Sequence, residues 1–324
     1  MEKPVQRILF TIFIIAAGQW AVSYTVDQNI HQHDGVAGVD HVIFIGVDAL
    51  SPDGIRNAHT PNIDYLMQNG AYTLAARAVM PTNSSPNWAS MIMGAGPEQH
   101  GVTSNSWEQD DYQVTPTAAG PGGFFPTIFY IMKSQRPELK LASYYDWPGF
   151  GRLFEHDFVD AVYMPDLPRE TTEDRVLWAE DTIRAANEHI RAERPNFLFI
   201  QLDHVDHFGH RFSHGSVEYY NSVQHADSLI GTALIAIEQS GIKNRTVVMI
   251  SSDHGGIGTG HGGATNEEIL IPWIIYGAGV AADKDLGPFI NTYDTAATIA
   301  YIFGLQQPDA WIARPVRHAF SRAY

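Results

Sequence analysis

Two metal-ligating side chains stand next to each other in the chain, and a third follows shortly after. Asp253 and His254 follow an apolar run at residues 246–250 after two serines, and His261 follows among glycines. The apolar run predicts a buried strand. Adjacent side chains on a regular strand point to opposite faces, so Asp253 and His254 can share a metal only where the strand has ended. The pattern predicts either a metal site or a turn with a capping carboxylate and a solvated imidazole.

A second acidic position, Asp48, ends the apolar run at residues 41–47. Open α/β sheets bind ligands at the carboxyl ends of their strands, which is where this carboxylate is expected. An Asp in this place also serves as a helix cap, and the residue alone does not separate the two roles.

A third cluster follows the apolar run at residues 196–202 and is rich in histidine. Asp203 and His207 are spaced so that a loop or one helical turn can bring both to one metal. Carboxylate and imidazole ligands together suit Zn²⁺, with Mn²⁺ or Fe²⁺ as alternatives. A surface loop with unrelated histidines is the competing interpretation. Other polar side chains of the cluster are candidates for groups that orient the ligands: His204, Asp206, His210 and His214.

Two hydroxyl groups stand at the start of a predicted helix. Ser84 and Ser85 precede Pro86, a residue that suits the first turn of a helix. A hydroxyl at a helix N-terminus lies at the positive end of the helix dipole, which favours its alkoxide and binds anions. In isolation, the segment is better explained as an ordinary serine cap.

Together, the four segments supply two carboxylate-rich metal sites and a hydroxyl nucleophile. That inventory fits two-metal displacement at phosphorus. One metal would activate the nucleophile, and the other would stabilise the leaving and non-bridging oxygens.

In this order the motifs resemble those of the alkaline phosphatase superfamily and, within it, the type I phosphodiesterase/nucleotide pyrophosphatase family. The resemblance covers residues 42–305 and rests on a strand-end Asp48, the nucleophile segment 81–87, the Asp-x-x-x-His at 203–207, the Asp-His-Gly at 253–255 and a later His261. It implies two Zn²⁺ sites. The first would be held by Asp203, His207 and His261. The second would be held by Asp48, Asp253, His254 and the hydroxyl of Ser84.

The resemblance also implies the activity, which is hydrolysis of phosphodiester or pyrophosphate bonds in small molecules through a phosphoseryl intermediate. Ser84 would be the nucleophile, where the family more often has Thr. Asn105 and the Ser85 backbone N–H would hold a phosphate oxygen. Ser85 stands where nucleotide-cleaving members often carry an aromatic side chain, which leaves nucleotide specificity open. The alternatives are a phosphomonoesterase, a phosphonate or sulfate ester hydrolase, and a non-catalytic zinc-binding protein.

Strand-like and helix-like patterns alternate along residues 40–324. This alternation predicts a single α/β catalytic domain, with a mostly parallel central sheet and helices on both faces, as in the alkaline-phosphatase-like three-layer sandwich. Further strands are predicted at 72–79, 139–145 and 270–276. Helices are predicted at 61–69, 126–133, 172–194, 217–240 and 294–303. Residues 108–123 are predicted to form a loop.

The chain has 324 residues, a formal net charge of −16 and no Cys. Its acidity argues against a nucleic-acid polymer as partner, because phosphate backbones require a basic surface. A small anionic phosphate ester remains compatible, since local dications can attract it. The sequence does not set the oligomeric state.

The N-terminus predicts export. Residues 1–23 combine two basic side chains with an apolar run and read as a signal peptide, followed by a flexible leader at 24–39. The expected location is the periplasm or the exterior, without stable membrane insertion if the segment is cleaved. An uncleaved N-terminal anchor is the alternative.

Overall fold

The computed structural model describes residues 34–321, which belong to one compact unit. The predicted signal peptide and residues 24–33 of the predicted leader lie outside the described residues. The last part of that leader differs from the expected flexible segment. The Val36 N–H donates to the Ile302 carbonyl at 2.9 Å, and Val36 and Val39 pack against the core.

An eight-stranded sheet forms the centre of the fold, in the order β4-β3-β5-β1-β6-β7-β2-β8. The strands are β1 His41–Val47, β2 Ala71–Arg77, β3 Leu141–Tyr145, β4 Ala161–Tyr163, β5 Phe197–Leu202, β6 Thr246–Ser251, β7 Leu270–Gly277 and β8 Lys284–Asp285. β7 runs antiparallel to both of its neighbours, and every other pair of adjacent strands is parallel. The predicted mostly parallel sheet is confirmed.

Ten α-helices cover the sheet within the described residues. They are α1 Pro52–Asn57, α2 Pro61–Asn69, α3 Ser84–Met93, α4 Pro97–His100, α5 Ile128–Gln135, α6 Thr172–Glu193, α7 His204–Phe212, α8 Val217–Gln239, α9 Asn266–Ile269 and α10 Asp294–Ile302. Five short 3₁₀ helices, among them Phe150–Arg152, join these elements. None of the helices in the described range is long and apolar enough to cross a membrane.

Side-chain alternation along β1 explains why helices cover both faces of the sheet. Val42 and Phe44 enter one hydrophobic core, to which α3, α5 and α10 contribute. Ile43 and Ile45 enter a second core on the opposite face, built with α2, α6 and α8. Because successive residues of a strand point to opposite sides, an all-apolar strand requires a cover on each side. The predicted α/β architecture is therefore confirmed.

Most predicted elements are present, with shifts of a few residues at their ends. The helix expected from residue 126 begins at Ile128, because the Thr127 hydroxyl accepts a hydrogen bond from the Tyr130 N–H and so caps the helix. Three short helices, α1, α4 and α9, were not predicted. They contain four to six residues, which is too few for a helical period to stand out.

The order of the strands determines which loops meet. β1 lies between β5 and β6 and is parallel to both. The segments after these three strands therefore leave the sheet side by side, and they begin with Asp48, Asp203 and Ser252-Asp253. The fold thus brings the predicted acidic segments together at the carboxyl ends of the central strands.

Gly46, near the carboxyl end of β1, packs closely against Trp88, and this packing can be tested. A Cβ added at Gly46 would lie 2.5 Å from the Trp88 ring, closer than van der Waals contact allows. We expect Gly46→Ala to destabilise the protein by about 1–3 kcal/mol, because the overpacked ring must shift. Urea unfolding followed by circular dichroism measures the loss. Gly260→Ala is the control, since its Cβ would meet no atom within 4 Å; equal midpoints for the two variants would contradict the packing argument.

Candidate active site

Two buried carboxylates and an imidazole meet where β1 and β6 end. Asp48 and Asp253 are fully buried, and the Ala49 N–H donates to Asp253 Oδ1 at 3.2 Å. The Nε2 of His254 lies 3.4 Å from Asp48 Oδ1 and 3.2 Å from Asp253 Oδ2. Trp88 Nε1 donates to the other oxygen of Asp48 at 3.1 Å. The three predicted ligands of the second site are thus together, with His254 Nε2 close to both carboxylates.

A second group of side chains adjoins the first and is centred on Asp206 of α7. His210 Nε2 lies 3.2 Å from Asp206 Oδ2, and His261 Nε2 lies 3.7 Å from Asp206 Oδ1. The two imidazole nitrogens lie 3.1 Å apart. Candidate ligand atoms of Asp206, His210 and His261 all lie within 4.8 Å of one another, and so do those of Asp48, Asp206 and His254. Asp206 therefore connects two adjoining ligand groups.

The three histidines of these groups are each oriented by a backbone carbonyl. The Nδ1 atom of each lies 2.8 Å from a backbone carbonyl: His210 faces Thr259, His254 faces Gly255 and His261 faces Thr82. A hydrogen bond of this kind fixes the ring and leaves Nε2 as the ligand atom. The geometry matches that of metal-ligating histidines.

Several carboxylate oxygens at the centre are buried without a hydrogen-bond partner: Asp48 Oδ1, Asp206 Oδ1 and Asp253 Oδ2. A buried charged oxygen is costly unless a partner compensates it. Burial, together with the charges of Asp253 and Asp206, raises the pKa of Asp48 well above its usual value. Burial, with the charge of Asp206, does the same for the pKa of Asp253. A divalent cation would supply the missing compensation.

The protonation states of His254 and Asp206 suit the same conclusion. Burial lowers the pKa of His254 to about 3, so its imidazole is neutral and can act as a ligand. Burial opposes ionisation of Asp206, but the hydrogen bond from His210 and the neighbouring histidines lower its pKa to about 2. Carboxylate and imidazole donors of this kind fit Zn²⁺, Mn²⁺ or Fe²⁺.

Ser84 is the serine that faces the cluster. It is the first residue of α3, it is 4 % exposed, and its Oγ lies 3.3 Å from His254 Nε2. The hydroxyl of Ser85 is buried elsewhere and has no hydrogen-bond partner. Only the Ser84 hydroxyl therefore combines a helix N-terminus with contact to the ligand group.

Asn105 lies next to the nucleophile segment but not as expected. Its Oδ1 accepts a hydrogen bond from the Ser85 N–H at 2.8 Å. The two groups predicted to hold one substrate oxygen thus bind each other. Asn105 lies on an exposed loop, and its amide nitrogen remains available as a hydrogen-bond donor.

Asp203 and His207, the other two predicted metal ligands, are placed away from His261. Asp203 Oδ2 accepts hydrogen bonds from Arg169 at 2.8 Å and Arg175 at 3.1 Å. The Nε2 of His207 lies 3.1 Å from Thr172 Oγ1. The expected ligand group of Asp203, His207 and His261 is therefore not formed in this structure, and Asp206 and His210 occupy the corresponding place.

A repeated spacing explains why the sequence pointed to Asp203 and His207. Asp203 and His207 are four residues apart, and so are Asp206 and His210. A shift of three residues turns an α-helix by about 300°, so the second pair lies nearly one turn further along the chain and about 60° around the axis from the first. Spacing alone does not choose between the pairs. The two arginines that bind Asp203 come from a distant part of the chain, which the local pattern does not reveal.

The chain is similar to proteins of a known family. The family model for type I phosphodiesterase / nucleotide pyrophosphatase matches residues 42–268. The chain is 29 % identical over 228 residues to a venom phosphodiesterase of Macrovipera lebetinus; the match covers 64 % of this chain and 25 % of that protein. The chain therefore spans about a quarter of the length of the curated relatives that it matches.

Solved structures share the fold. An inactive variant of murine ectonucleotide pyrophosphatase / phosphodiesterase 5, in complex with AMP, has a TM-score of 0.68 at 14 % identity, covering 87 % of this chain and 100 % of that one. A mutant of the alkaline phosphatase PafA has a TM-score of 0.69 at 10 % identity, covering 87 % and 99 %. Since the family model covers most of the chain, this protein belongs to the type I phosphodiesterase / nucleotide pyrophosphatase family.

Proposed function

We propose that this protein is a metal-dependent hydrolase of phosphodiester or pyrophosphate bonds in small molecules, with Ser84 as its nucleophile. The observation that carries the proposal is the contact between Ser84 Oγ and His254 Nε2 at 3.3 Å, beside carboxylate oxygens that have no other partner. A merely structural serine cap would not require that its hydroxyl face such a group. Family membership supports the same chemistry.

Two divalent cations, Zn²⁺ or alternatively Mn²⁺ or Fe²⁺, fit the two ligand groups. We assign one to Asp206, His210 and His261, and the other to Asp48, Asp253 and His254, with the Ser84 hydroxyl beside it. This assignment replaces Asp203 and His207 with Asp206 and His210. Cations in these places would lower the pKa of a bound hydroxyl and would neutralise charge on phosphoryl oxygens.

The protein side chains then have separate tasks. Ser84 Oγ attacks phosphorus, the bond to the leaving oxygen breaks, and a phosphoseryl group forms until water hydrolyses it. The N-terminus of α3 favours negative charge at Ser84. Asn105 donates its amide N–H to a non-bridging oxygen, while its Oδ1 stays on the Ser85 N–H.

The available donors favour a diester. Asn105 is neutral, whereas the dianionic phosphate of a monoester is best held by a free guanidinium. Arg169 and Arg175, which lie on the Asp203 side of the site, already bind Asp203. The net charge of −16 restricts the proposed substrates to small anionic esters rather than nucleic-acid polymers. Export remains a prediction from residues 1–23, outside the described part of the chain.

The serine assignment has a direct test. Ser84→Ala removes the attacking oxygen, and we expect kcat to fall by about 10³-fold or more while bound metal is retained. Ser85→Ala is the matched control, because it removes a neighbouring hydroxyl without a partner and keeps the backbone N–H. Hydrolysis rates and metal content are measured together. Loss of activity in Ser85→Ala with an active Ser84→Ala would reverse the assignment.

Two variants of α7 test the metal assignment. His210→Ala should lower the zinc content of the purified protein by about one equivalent, because it removes one of three protein ligands. His207→Ala, three residues earlier on α7, should leave the zinc content unchanged. Elemental analysis after dialysis gives both values. Zinc loss in the His207 variant alone would restore the arrangement expected from the sequence.

Substrate preference follows from the neutral donor. Zinc-loaded protein should hydrolyse bis-p-nitrophenyl phosphate faster than p-nitrophenyl phosphate, as judged by kcat/KM. Faster hydrolysis of the monoester would show that another group binds the extra charge. Activity on neither ester would contradict the proposed function and leave sulfate esters, phosphonates and a non-catalytic zinc protein to be tested.

A further inference from the structure

We propose that Arg152 is a positioning residue, which holds Asn105 in the place from which it donates to the substrate. The proposal rests on the proposed function, since it assigns Arg152 a role only through Asn105. No motif in the sequence marks Arg152, which lies 47 residues from Asn105 in the chain.

Arg152 binds the Asn105 loop at three points. Its Nη2 donates to the Asn105 carbonyl at 2.8 Å, and its Nη1 donates to the Trp107 carbonyl at 3.0 Å. Its Nη1 also pairs with the Glu108 carboxylate. The planar guanidinium can span several acceptors at once, which an ammonium cannot do. One side chain thus contacts Asn105, Trp107 and Glu108.

The backbone that carries Arg152 is fixed to the core next to the nucleophile helix. Arg152 ends the 3₁₀ helix Phe150–Arg152. The fully buried ring of Phe150 stacks on Phe199 at 4.8 Å and meets the edge of Trp88 at 6.0 Å. Trp88 belongs to α3 and also donates to Asp48. Arg152 therefore ties the Asn105 loop to the elements that hold Ser84 and the ligand group.

Asn105 needs such support because it is exposed and lies outside any helix or strand. Its side chain is held by the Ser85 N–H and its carbonyl by Arg152, each at 2.8 Å. Two contacts on opposite parts of the residue fix the direction of the amide nitrogen. With only the Ser85 contact, the loop could move the donor away from the phosphate oxygen.

A double-mutant cycle tests the proposal. The probe is bis-p-nitrophenyl phosphate, and kcat and KM are measured for the zinc-loaded wild type, R152A, N105A and the double variant. We expect R152A to lower kcat by about 10- to 100-fold, because misplacing a catalytic group by an ångström costs up to about 10²-fold. KM should change less than kcat. In the N105A background, R152A should cause no further loss, since the two residues act as one unit.

Further variants separate positioning from stability. R152K should recover part of kcat, because its ammonium reaches one carbonyl but not several acceptors. R184A is the charge-matched control, since Arg184 pairs with Asp181 and Glu188 of its own helix, α6; it should retain full activity. Circular dichroism and zinc content must match the wild type. If R152A does not fold, R152Q takes its place in the same cycle.

Two outcomes would overturn the inference in distinguishable ways. If N105A is impaired but R152A is fully active, or if their effects add in full, Arg152 does not act through Asn105. If N105A itself retains full kcat, the role of Asn105 in the proposed function fails, and the inference fails with it.

Discussion

The structure depends on one electrostatic constraint, which is that three acidic side chains are buried against each other. Asp48 and Asp206 share one group of candidate ligand atoms with His254, Asp253 lies beside that histidine, and each of the three carboxylates has an oxygen without a hydrogen-bond partner. Like charges buried together are unfavourable, and burial raises the pKa of Asp48 and Asp253 accordingly. Such an arrangement persists when a cation compensates it. The position of the Ser84 hydroxyl and the orientation of the histidines fit that requirement.

The fold meets this constraint with elements that are far apart in sequence. The central position of β1 between β5 and β6 brings three strand ends together. Trp88 couples the nucleophile helix to Asp48, and the carbonyl of Thr82 orients His261. Rigid strands and a well-packed helix therefore position the reactive groups, while the exposed Asn105 is held in place by hydrogen bonds.

Much of this could be predicted from the sequence, for a physical reason. Asp48, Asp253 and His254 follow apolar strands directly, and Ser84 begins a helix, so local patterns place all four. Asp203 and His207 were predicted as ligands from the sequence, whereas we propose Asp206 and His210. The same four-residue spacing occurs in both pairs, and tertiary contacts of Asp203 with Arg169 and Arg175 distinguish them. The pairing of Asn105 with the Ser85 N–H is likewise a contact between loops that no periodicity encodes.

The central claim is that two cations occupy the adjoining groups, and anomalous diffraction from crystals grown with Zn²⁺ tests it most directly. The account predicts two peaks. One should lie about 2.0–2.2 Å from the ligand atoms of Asp206, His210 and His261, and the other at the same range from Asp48, Asp253 and His254. A peak between Asp203 and His207, or no peak at either group in zinc-replete crystals, would contradict it.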